Sequence, residues 1–310
     1  MSIKEYKKII DDKLIKSYPD GPKLLKGPIN HVLYGGKRIR PLLCMLVNEA
    51  CGGKLEDSID VSMSIELLHI FSLVHDDIMD GDNLRHGVET IHEKWNNSVA
   101  ILAGDAILAL AIKKLNSSSN LVKEKFNNAL IAVCEGQALD VEYENLNTIS
   151  IEQYFKMVNL KTSYMLGLSM EMGSLIANVD IDTVNKFRQI GLLIGKVFQI
   201  QDDLLEITSD TKTMGKSLSS DILLNKKTYL MIQLDIKHPG VLDDIYKSCD
   251  GDADLLKKQI KKVLMELGII DETRKYIECV FDDIYSIISS IPTSNDNVIE
   301  LIDFIKNRKK

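Results

Sequence analysis

The sequence predicts an all-α protein, and three observations support this prediction. Apolar residues recur at helical spacing through most of the 310 residues. No convincing succession of alternating strands accompanies them. Two of the long apolar patterns end in groups of carboxylates, at 76–80 and 202–206. We therefore expect a helical bundle with acidic clusters at the ends of two central helices.

The predicted helices follow one another with short breaks. A charged amphipathic helix is expected over 3–17, and the turn sequence YPDGP ends it. A short helix near 23–34 ends at Gly35-Gly36, and the next opens with Lys37-Arg38-Ile39-Arg40-Pro41 and runs to about Cys51. The polar segment 208–221 predicts a surface loop. Further helices are expected near 56–80, 97–115, 119–145, 150–177, 182–208, 223–237, 252–267, 271–290 and 296–307.

Composition and charge narrow the class of protein. Hydrophobic residues make up 45% and charged residues 27%, as in a globular protein with a substantial core. The net charge of −7 argues against nucleic acid as the main partner. The five cysteines form no CxxC motif and are expected to be core thiols of a cytosolic protein.

The first residues and the segments between helices indicate where the protein is expected to be located and how many domains it has. The first residues are charged, unlike an apolar signal core, and no run approaches the ~20 apolar residues of a membrane span. No linker is long enough to divide the chain. We therefore expect a single domain over 1–310, without a transmembrane segment, in the cytoplasm.

The acidic clusters stand out from other aspartate pairs by their spacing. Adjacent aspartates occur at 11–12, 76–77, 202–203, 243–244 and 282–283. Only the pairs at 76 and 202 have a carboxylate one helical turn after the first aspartate, Asp80 and Glu206, and both follow apolar runs. The other pairs are typical of solvated helix faces. Carboxylates at helical spacing suit Mg²⁺, so two such helices facing each other would grip several metal ions.

Several basic residues admit two interpretations. Lys37, Arg38 and Arg40 form either a solvated helix start or an anion site, since two glycines precede a helix N-terminus there. His69 lies seven residues before Asp76 on the same helix face, as a core histidine or as part of the site.

Further polar residues of the chain also admit two interpretations. Lys161 interrupts an apolar run, either reaching the surface or pairing with an anion, and Thr162 adds a hydroxyl. Gln199 precedes Asp202 by three residues and can reach the same site. Lys216, Lys226 and Lys227 flank the polar loop, as surface lysines or as anion-binding groups.

Six motifs in order give the chain a resemblance to a known family. GGKRIRP, DDIMD with Arg85 following, EGQALD, LKT, FQIQDDLLE and GK…SDI…KKT lie between about 35 and 228. They resemble the motifs of the trans-isoprenyl diphosphate synthases (polyprenyl synthetases). The resemblance implies a single-domain isoprenoid-synthase helical bundle around a deep central cavity, usually a homodimer. It also implies condensation of isopentenyl diphosphate with an allylic diphosphate.

The resemblance assigns roles to individual positions. It implies Asp76, Asp80 and Asp202 as the principal Mg²⁺ ligands, with Asp77, Asp203 and Asp140 in support. The residues that hold the allylic diphosphate would be Arg85, Lys161, Thr162, Gln199, Lys216 and Lys226. The isopentenyl diphosphate pocket would contain Lys37, Arg40 and His69. The catalytic group would be Asp76, Asp80, Asp202, Arg85 and Lys161.

Two positions depart from the family pattern. The second acidic motif ends in Glu206 where the family often has Asp. The longer glutamate side chain would reach a metal ion through water. His86 stands where many members have a second Arg, which would give the isopentenyl diphosphate site a titratable charge.

The resemblance also implies a product length. In the family, an aromatic residue five positions before the first aspartate motif accompanies a twenty-carbon product, and Phe71 holds that position beside the small Ser72. The DDIMD motif lacks the insertion of many bacterial short-chain enzymes. Together these features resemble an archaeal-type geranylgeranyl diphosphate synthase, with farnesyl or longer polyprenyl products as alternatives. Phe71 as ordinary core packing is the competing interpretation.

Two rival functions are weighed against this prediction. A terpene cyclase also ionises a diphosphate but needs no second diphosphate site, so GGKRIRP with His69 argues against it. A catalytically silent synthase subunit would be expected to lose an acidic cluster, and both are present here.

Overall fold

The structure is a computed structural model that describes residues 1–85, 87–208, 226–249 and 252–308. The backbone of these residues is mainly helical. The helices are α1 (Ile3–Ile15), α2 (Lys23–Leu33), α3 (Ile39–Ala50), α4 (Leu55–Asp80), α5 (Ile91–Lys94), α6 (Asn97–Lys114), α7 (Asn120–Glu144), α8 (Ile151–Val158), α9 (Tyr164–Ile176), α10 (Ile181–Thr208), α11 (Tyr229–Lys237), α12 (Val241–Cys249), α13 (Ala253–Glu266), α14 (Ile269–Ser289) and α15 (Asp296–Lys306). A π-helical turn, Asn159–Ser163, joins α8 to α9.

The all-α prediction is confirmed, and most predicted boundaries agree with the structure to within a few residues. Local sequence accounts for this agreement, because polar side chains cap free N–H groups where helices begin. The Asn96 side chain accepts a hydrogen bond from Val99 N at the start of α6, and Ser150 forms a capping box with Gln153 at the start of α8. At its end, α4 reaches Gly81, whose φ of 65° lies in the left-handed region that favours glycine.

Four features differ from the sequence prediction, one of which is the short helix α5. The helix expected over 150–177 is interrupted by the π-helical turn. A separate helix, α12, follows Gly240, and a short antiparallel hairpin of β1 (Leu84–Arg85) and β2 (Val88–Glu89) follows α4. These elements are too short for hydrophobic periodicity to identify. The loop predicted over 208–221 lies mostly outside the described residues.

The long helices α4, α9 and α10 form the centre of the packing. The α10 helix packs along α9 and α14, α9 packs along α3, and α4 lies against α3 and α6. Gly191 and Gly195 permit the close approach of a neighbouring segment. A Cβ atom at Gly191 would lie 2.4 Å from Leu166 O, and one at Gly195 would lie 2.3 Å from Ser163 Cα. The two glycines therefore let α10 seat the chain that runs from the π-helical turn into α9.

The cysteine prediction holds only in part. Cys44 and Cys249 are buried, and Cys51 is partly buried. Cys134 and Cys279 are exposed, so the expectation that all five are core thiols is wrong at these two positions. They lie on α7 and α14, where the periodicity of an amphipathic helix leaves one face in solvent.

No described helix combines the length and apolar character needed to cross a bilayer.

Candidate active site

The first acidic cluster ends α4. Asp76 and Asp80 lie one turn apart, as their spacing predicts. Lys226 Nζ lies 2.9 Å from Asp80 Oδ2, which connects the cluster to the chain just before α11. Burial raises the pKa of Asp76; Lys161 and Arg85 lower it, and the Asp80 charge raises it further. A carboxylate whose buried charge is incompletely compensated is stabilised by an added cation.

Asp77 belongs to the same motif but contacts a different partner. Its side chain is buried, and Arg85 Nε lies 2.5 Å from its Oδ1. Arg85 Nη2 also lies 3.5 Å from Asp82 Oδ2. This pair ties the β1–β2 hairpin to the end of α4 and neutralises Asp77 within the protein. Asp82 was absent from the sequence prediction, although its carboxylate lies three residues before Arg85.

The second acidic cluster gives its two aspartates different surroundings. Asp203 is buried and accepts hydrogen bonds from Gln199 Nε2 at 3.1 Å, Tyr154 Oη at 2.7 Å and Tyr229 N at 2.8 Å. Burial raises the pKa of Asp203 to about 6, against the effect of these donors. Asp202 is half exposed. Asp202 is therefore the more available carboxylate for a metal ion, and a ligand role for Asp203 stays a prediction.

A residue that sequence reasoning missed lies against Asp202. Arg308 Nη1 is 2.9 Å from Asp202 Oδ1, and its guanidinium carbon lies 3.6 Å from the centroid of the Phe198 ring. Arg308 Nε also donates to Gln201 Oε1 at 3.0 Å. The only signal in the sequence is the basic segment at the end of the chain, which gives no indication of its partner.

The π-helical turn presents two predicted residues to two different helices. Lys161 Nζ lies 2.5 Å from Asp140 Oδ2 on α7, and Thr162 Oγ1 donates to Gln199 Oε1 on α10 at 3.1 Å. Burial lowers the pKa of Lys161, but Asp140 and Asp76 outweigh it and raise the pKa above its usual range. Lys161 is therefore a partly buried cation that is paired with the Asp140 carboxylate and interacts electrostatically with Asp76. The interpretation of Lys161 as a surface lysine is wrong.

The predicted isopentenyl diphosphate residues also come together. Arg40 Nη1 lies 3.1 Å from His69 Nε2, and Arg40 Nε is a buried donor without a hydrogen-bond partner among the described residues. Burial lowers the pKa of Lys37, as does Arg308, while Asp202 raises it. The first basic motif and the second acidic cluster therefore share one electrostatic neighbourhood.

Not every predicted residue can be placed. His86 and Lys216 lie outside the described residues. Glu206 lies one turn after Asp202 on α10, and its contact with metal through water stays a prediction.

The two predicted chain-length residues lie on α4 about one turn before Asp76. The buried Phe71 ring packs against His75, with centroids 4.6 Å apart. Ser72 Oγ donates to His69 O at 2.9 Å, which keeps its hydroxyl on its own helix. Their effect on product length stays a prediction.

The donor chemistry of the site fits a divalent cation. Within the described ranges, no three His, Cys, Asp or Glu side chains are grouped closely enough to form a complete metal site. Mg²⁺ normally takes one or two protein carboxylates and completes its shell with water and substrate phosphates. Asp76 with Asp80, and Asp202 on the other helix, supply hard oxygen donors of this kind.

Comparisons with known proteins identify the family of this chain. A geranylgeranyl diphosphate synthase of Sulfolobus acidocaldarius is 39% identical over 71% of this chain and 70% of its own length. A geranylgeranyl pyrophosphate synthase of Geoglobus acetivorans is 32% identical over 99% of this chain and 98% of its own length. A solved geranylgeranyl pyrophosphate synthetase from Pyrococcus horikoshii has a TM-score of 0.91 at 31% identity, covering 99% of this chain and 97% of that one. Residues 22–264 match the polyprenyl synthetase family, to which this chain belongs.

Proposed function

We propose that this prenyltransferase condenses isopentenyl diphosphate head to tail with an allylic diphosphate and that its main product is geranylgeranyl diphosphate. The observation that carries the proposal is the pairing of each acidic cluster with basic side chains. Asp80 contacts Lys226, and Asp202 contacts Arg308 beside Lys37. Carboxylates and cations placed together in this way suit a metal-bound diphosphate. The names of the relatives support the twenty-carbon product.

The proposed reaction needs a departing diphosphate and a protected cation. The carbon–oxygen bond of the allylic diphosphate breaks, and its carbon joins the double bond of isopentenyl diphosphate. The released diphosphate takes the proton that the product loses. Lys161, Lys226 and Arg85 would hold the leaving diphosphate, and Thr162 with Gln199 would orient it. Lys37, Arg40 and His69 would hold the second diphosphate so that the two reacting carbons meet.

Mg²⁺ is the proposed cofactor. Asp76, Asp80 and Asp202 would hold it, with Asp77, Asp140 and Asp203 orienting the residues around them. When bound, the metal neutralises the negative charge that develops on the leaving diphosphate. The position of Asp76 supports this assignment, because burial raises the pKa of its carboxyl group and a bound cation would favour the charged form.

The active form is proposed to be a cytoplasmic homodimer of one domain over 1–310. Large apolar side chains on α6 and α7 are exposed in the single chain: Ile101, Leu102, Ile112, Leu121 and Ile131. Ile101, Leu102 and Ile112 share one face of α6 by helical spacing. An exposed apolar face of this kind favours association with another protein surface.

One experiment tests the function directly. The purified chain is incubated with isopentenyl diphosphate, Mg²⁺ and allylic diphosphates of five, ten and fifteen carbons, and the products are sized by chromatography. The expected result is a twenty-carbon diphosphate from each primer. A main product of fifteen carbons, or of more than twenty, would change the product assignment. Hydrocarbon release without isopentenyl incorporation would indicate a cyclase, and no turnover by the chain alone would indicate a silent subunit.

A further inference from the structure

Arg38 lies between Lys37 and Arg40, yet its side chain points into the protein. The side chain is 3% exposed. Its Nη1 lies 2.7 Å from Glu66 Oε1 on α4, and its Nε lies 2.9 Å from Asp11 Oδ1 on α1. Its Nη2 donates to Leu33 O at the end of α2. One guanidinium therefore ties three helices to the residue that precedes α3.

The backbone of Arg38 is held in an unusual conformation. Its φ of 58° and ψ of 32° are left-handed, which costs energy for a residue with a Cβ. Gly35 and Gly36, just before it, also have positive φ values of 83° and 84°. The turn from α2 into α3 thus passes through three left-handed residues. Of these three residues, only Arg38 has a side chain that can hold the turn in place. Lys37 and Arg40 lie on either side of Arg38 in the sequence.

The Glu66 carboxylate carries a negative charge that would oppose binding of a diphosphate here. It is buried on α4, one turn before His69, and His69 contacts Arg40. Burial lowers the pKa of Arg40, and the Glu66 carboxylate opposes this change. Glu66 and a substrate diphosphate would therefore compete for the same guanidinium. The direct contact between Arg38 and Glu66 weakens this competition, because the Arg38 guanidinium neutralises the carboxylate.

We propose that Arg38 is a positioning residue that holds Glu66 away from Arg40 and so keeps Arg40 available for the diphosphate of isopentenyl diphosphate. Asp11 supports Arg38 from α1, which lies before the family match at 22–264. The N-terminal helix is then part of the support of the substrate pocket. This inference rests on the proposed function and adds residues that do not themselves contact substrate.

The decisive test is a double-variant cycle on Arg38 and Glu66. Arg38→Gln should raise the KM for isopentenyl diphosphate about 10-fold, as expected when a binding group is misplaced. The KM for the allylic diphosphate should stay near the parent value. Arg38→Gln combined with Glu66→Gln should bring the KM for isopentenyl diphosphate back toward the parent, because the competing carboxylate is gone. A double variant as poor as Arg38→Gln, or poorer, would overturn the proposal.

Further variants separate positioning from general loss of stability. Arg38→Lys keeps the charge and should recover most of the affinity. Asp11→Asn changes a partly exposed residue on α1, so folding should survive, and it should raise the same KM to a smaller extent. Lys7→Gln removes the other cation on Asp11 and should leave the KM unchanged. If the KM for isopentenyl diphosphate is unchanged in Asp11→Asn, α1 does not support the substrate pocket.

A matched control removes a comparable ion pair elsewhere. Arg188 Nη1 lies 2.5 Å from Oε2 of the buried Glu171, and this pair contacts none of the proposed substrate residues that the structure describes. Arg188→Gln should lower thermal stability and leave both KM values unchanged. A rise in the KM for isopentenyl diphosphate equal to that of Arg38→Gln would show that loss of stability alone explains the effect.

The proposed function and this inference fail in different ways. If the parent chain turns over, an unchanged KM for isopentenyl diphosphate in Arg38→Gln overturns the inference alone. If the parent chain does not turn over, the proposed function fails. Calorimetry then measures binding of isopentenyl diphosphate to the parent, Arg38→Gln and the double variant. Weaker binding in Arg38→Gln and recovery in the double variant would support the inference, and any other order would overturn it.

Discussion

Arg308 and Asp202 form an ion pair of 2.9 Å that joins the end of the chain to the second acidic cluster. The Arg308 side chain is almost fully buried in this position, and its guanidinium stacks on the Phe198 ring. The cation contacts an oxygen of the carboxylate that we propose as a metal ligand. Metal binding at Asp202 would therefore compete with this ion pair.

The first prediction follows from that competition. Arg308→Gln should lower the Mg²⁺ concentration for half-maximal rate about threefold, equivalent to about 0.6 kcal/mol for a partly exposed pair. Lys306→Gln is the control, since Lys306 pairs with Glu278 outside the site. Steady-state rates over a Mg²⁺ titration give the answer, and an equal or higher Mg²⁺ requirement in Arg308→Gln would contradict the competition.

The second prediction concerns the two helices that we propose supply the metal ligands. Asp76→Ala and Asp202→Ala should each remain folded and lower kcat by about 100-fold or more, because each removes a carboxylate needed for metal-assisted departure of diphosphate. Circular dichroism checks the fold, and single-turnover assays at saturating Mg²⁺ check the chemistry. A near-normal rate in either variant would show that its cluster has another role.

The third prediction separates Asp203 from Asp202. Asp203→Ala leaves the Tyr154 hydroxyl, the Gln199 amide and the Tyr229 N–H without their acceptor. The free energy of unfolding should therefore fall by about 3 kcal/mol, because buried donors without partners are costly. Urea unfolding measures this loss. Asp202→Ala, on a half-exposed residue, should cost far less stability, and equal losses in the two variants would argue against the different surroundings described here.

The sequence predicted the helices better than it predicted which side chains contact each other between helices. Spacing within one helix was enough to place Asp76 and Asp80 on one face. The partners of Asp203 come from α8 and the start of α11, and Arg308 reaches Asp202 across more than one hundred residues of chain. Periodicity describes one segment at a time, so contacts between distant segments lie beyond it.

The fourth prediction is the length of the product. Phe71→Ala should lengthen the main product by one or more five-carbon units, because it removes a bulky ring on the helix that leads into Asp76. Ser72→Phe should shorten the product by adding a ring at the next position. Product sizing by chromatography distinguishes these results. If both variants keep the product lengths of the parent, residues other than Phe71 and Ser72 limit the length of the product.

The fifth prediction tests association of the chain. Leu102→Asp places a charge in the exposed apolar face of α6 and should convert a dimer into monomers. Ile236→Asp changes an apolar residue that is similarly exposed on α11 and serves as the control. Light scattering coupled to size exclusion measures the mass. A parent chain that is already monomeric, or a Leu102→Asp variant that stays dimeric, would contradict the proposed interface.

The π-helical turn has a consequence for how this enzyme can change. Lys161 and Thr162 are neighbours in this turn and face α7 and α10 respectively. Gly136 and Gly195 leave no room on either side, since a Cβ at either position would lie 2.3 Å from the turn's backbone. Deleting one residue of the turn would rotate α9 and its buried side chains by about 100° relative to α8. A change in the length of this turn would therefore alter core packing and the two residues that we propose hold substrate at the same time.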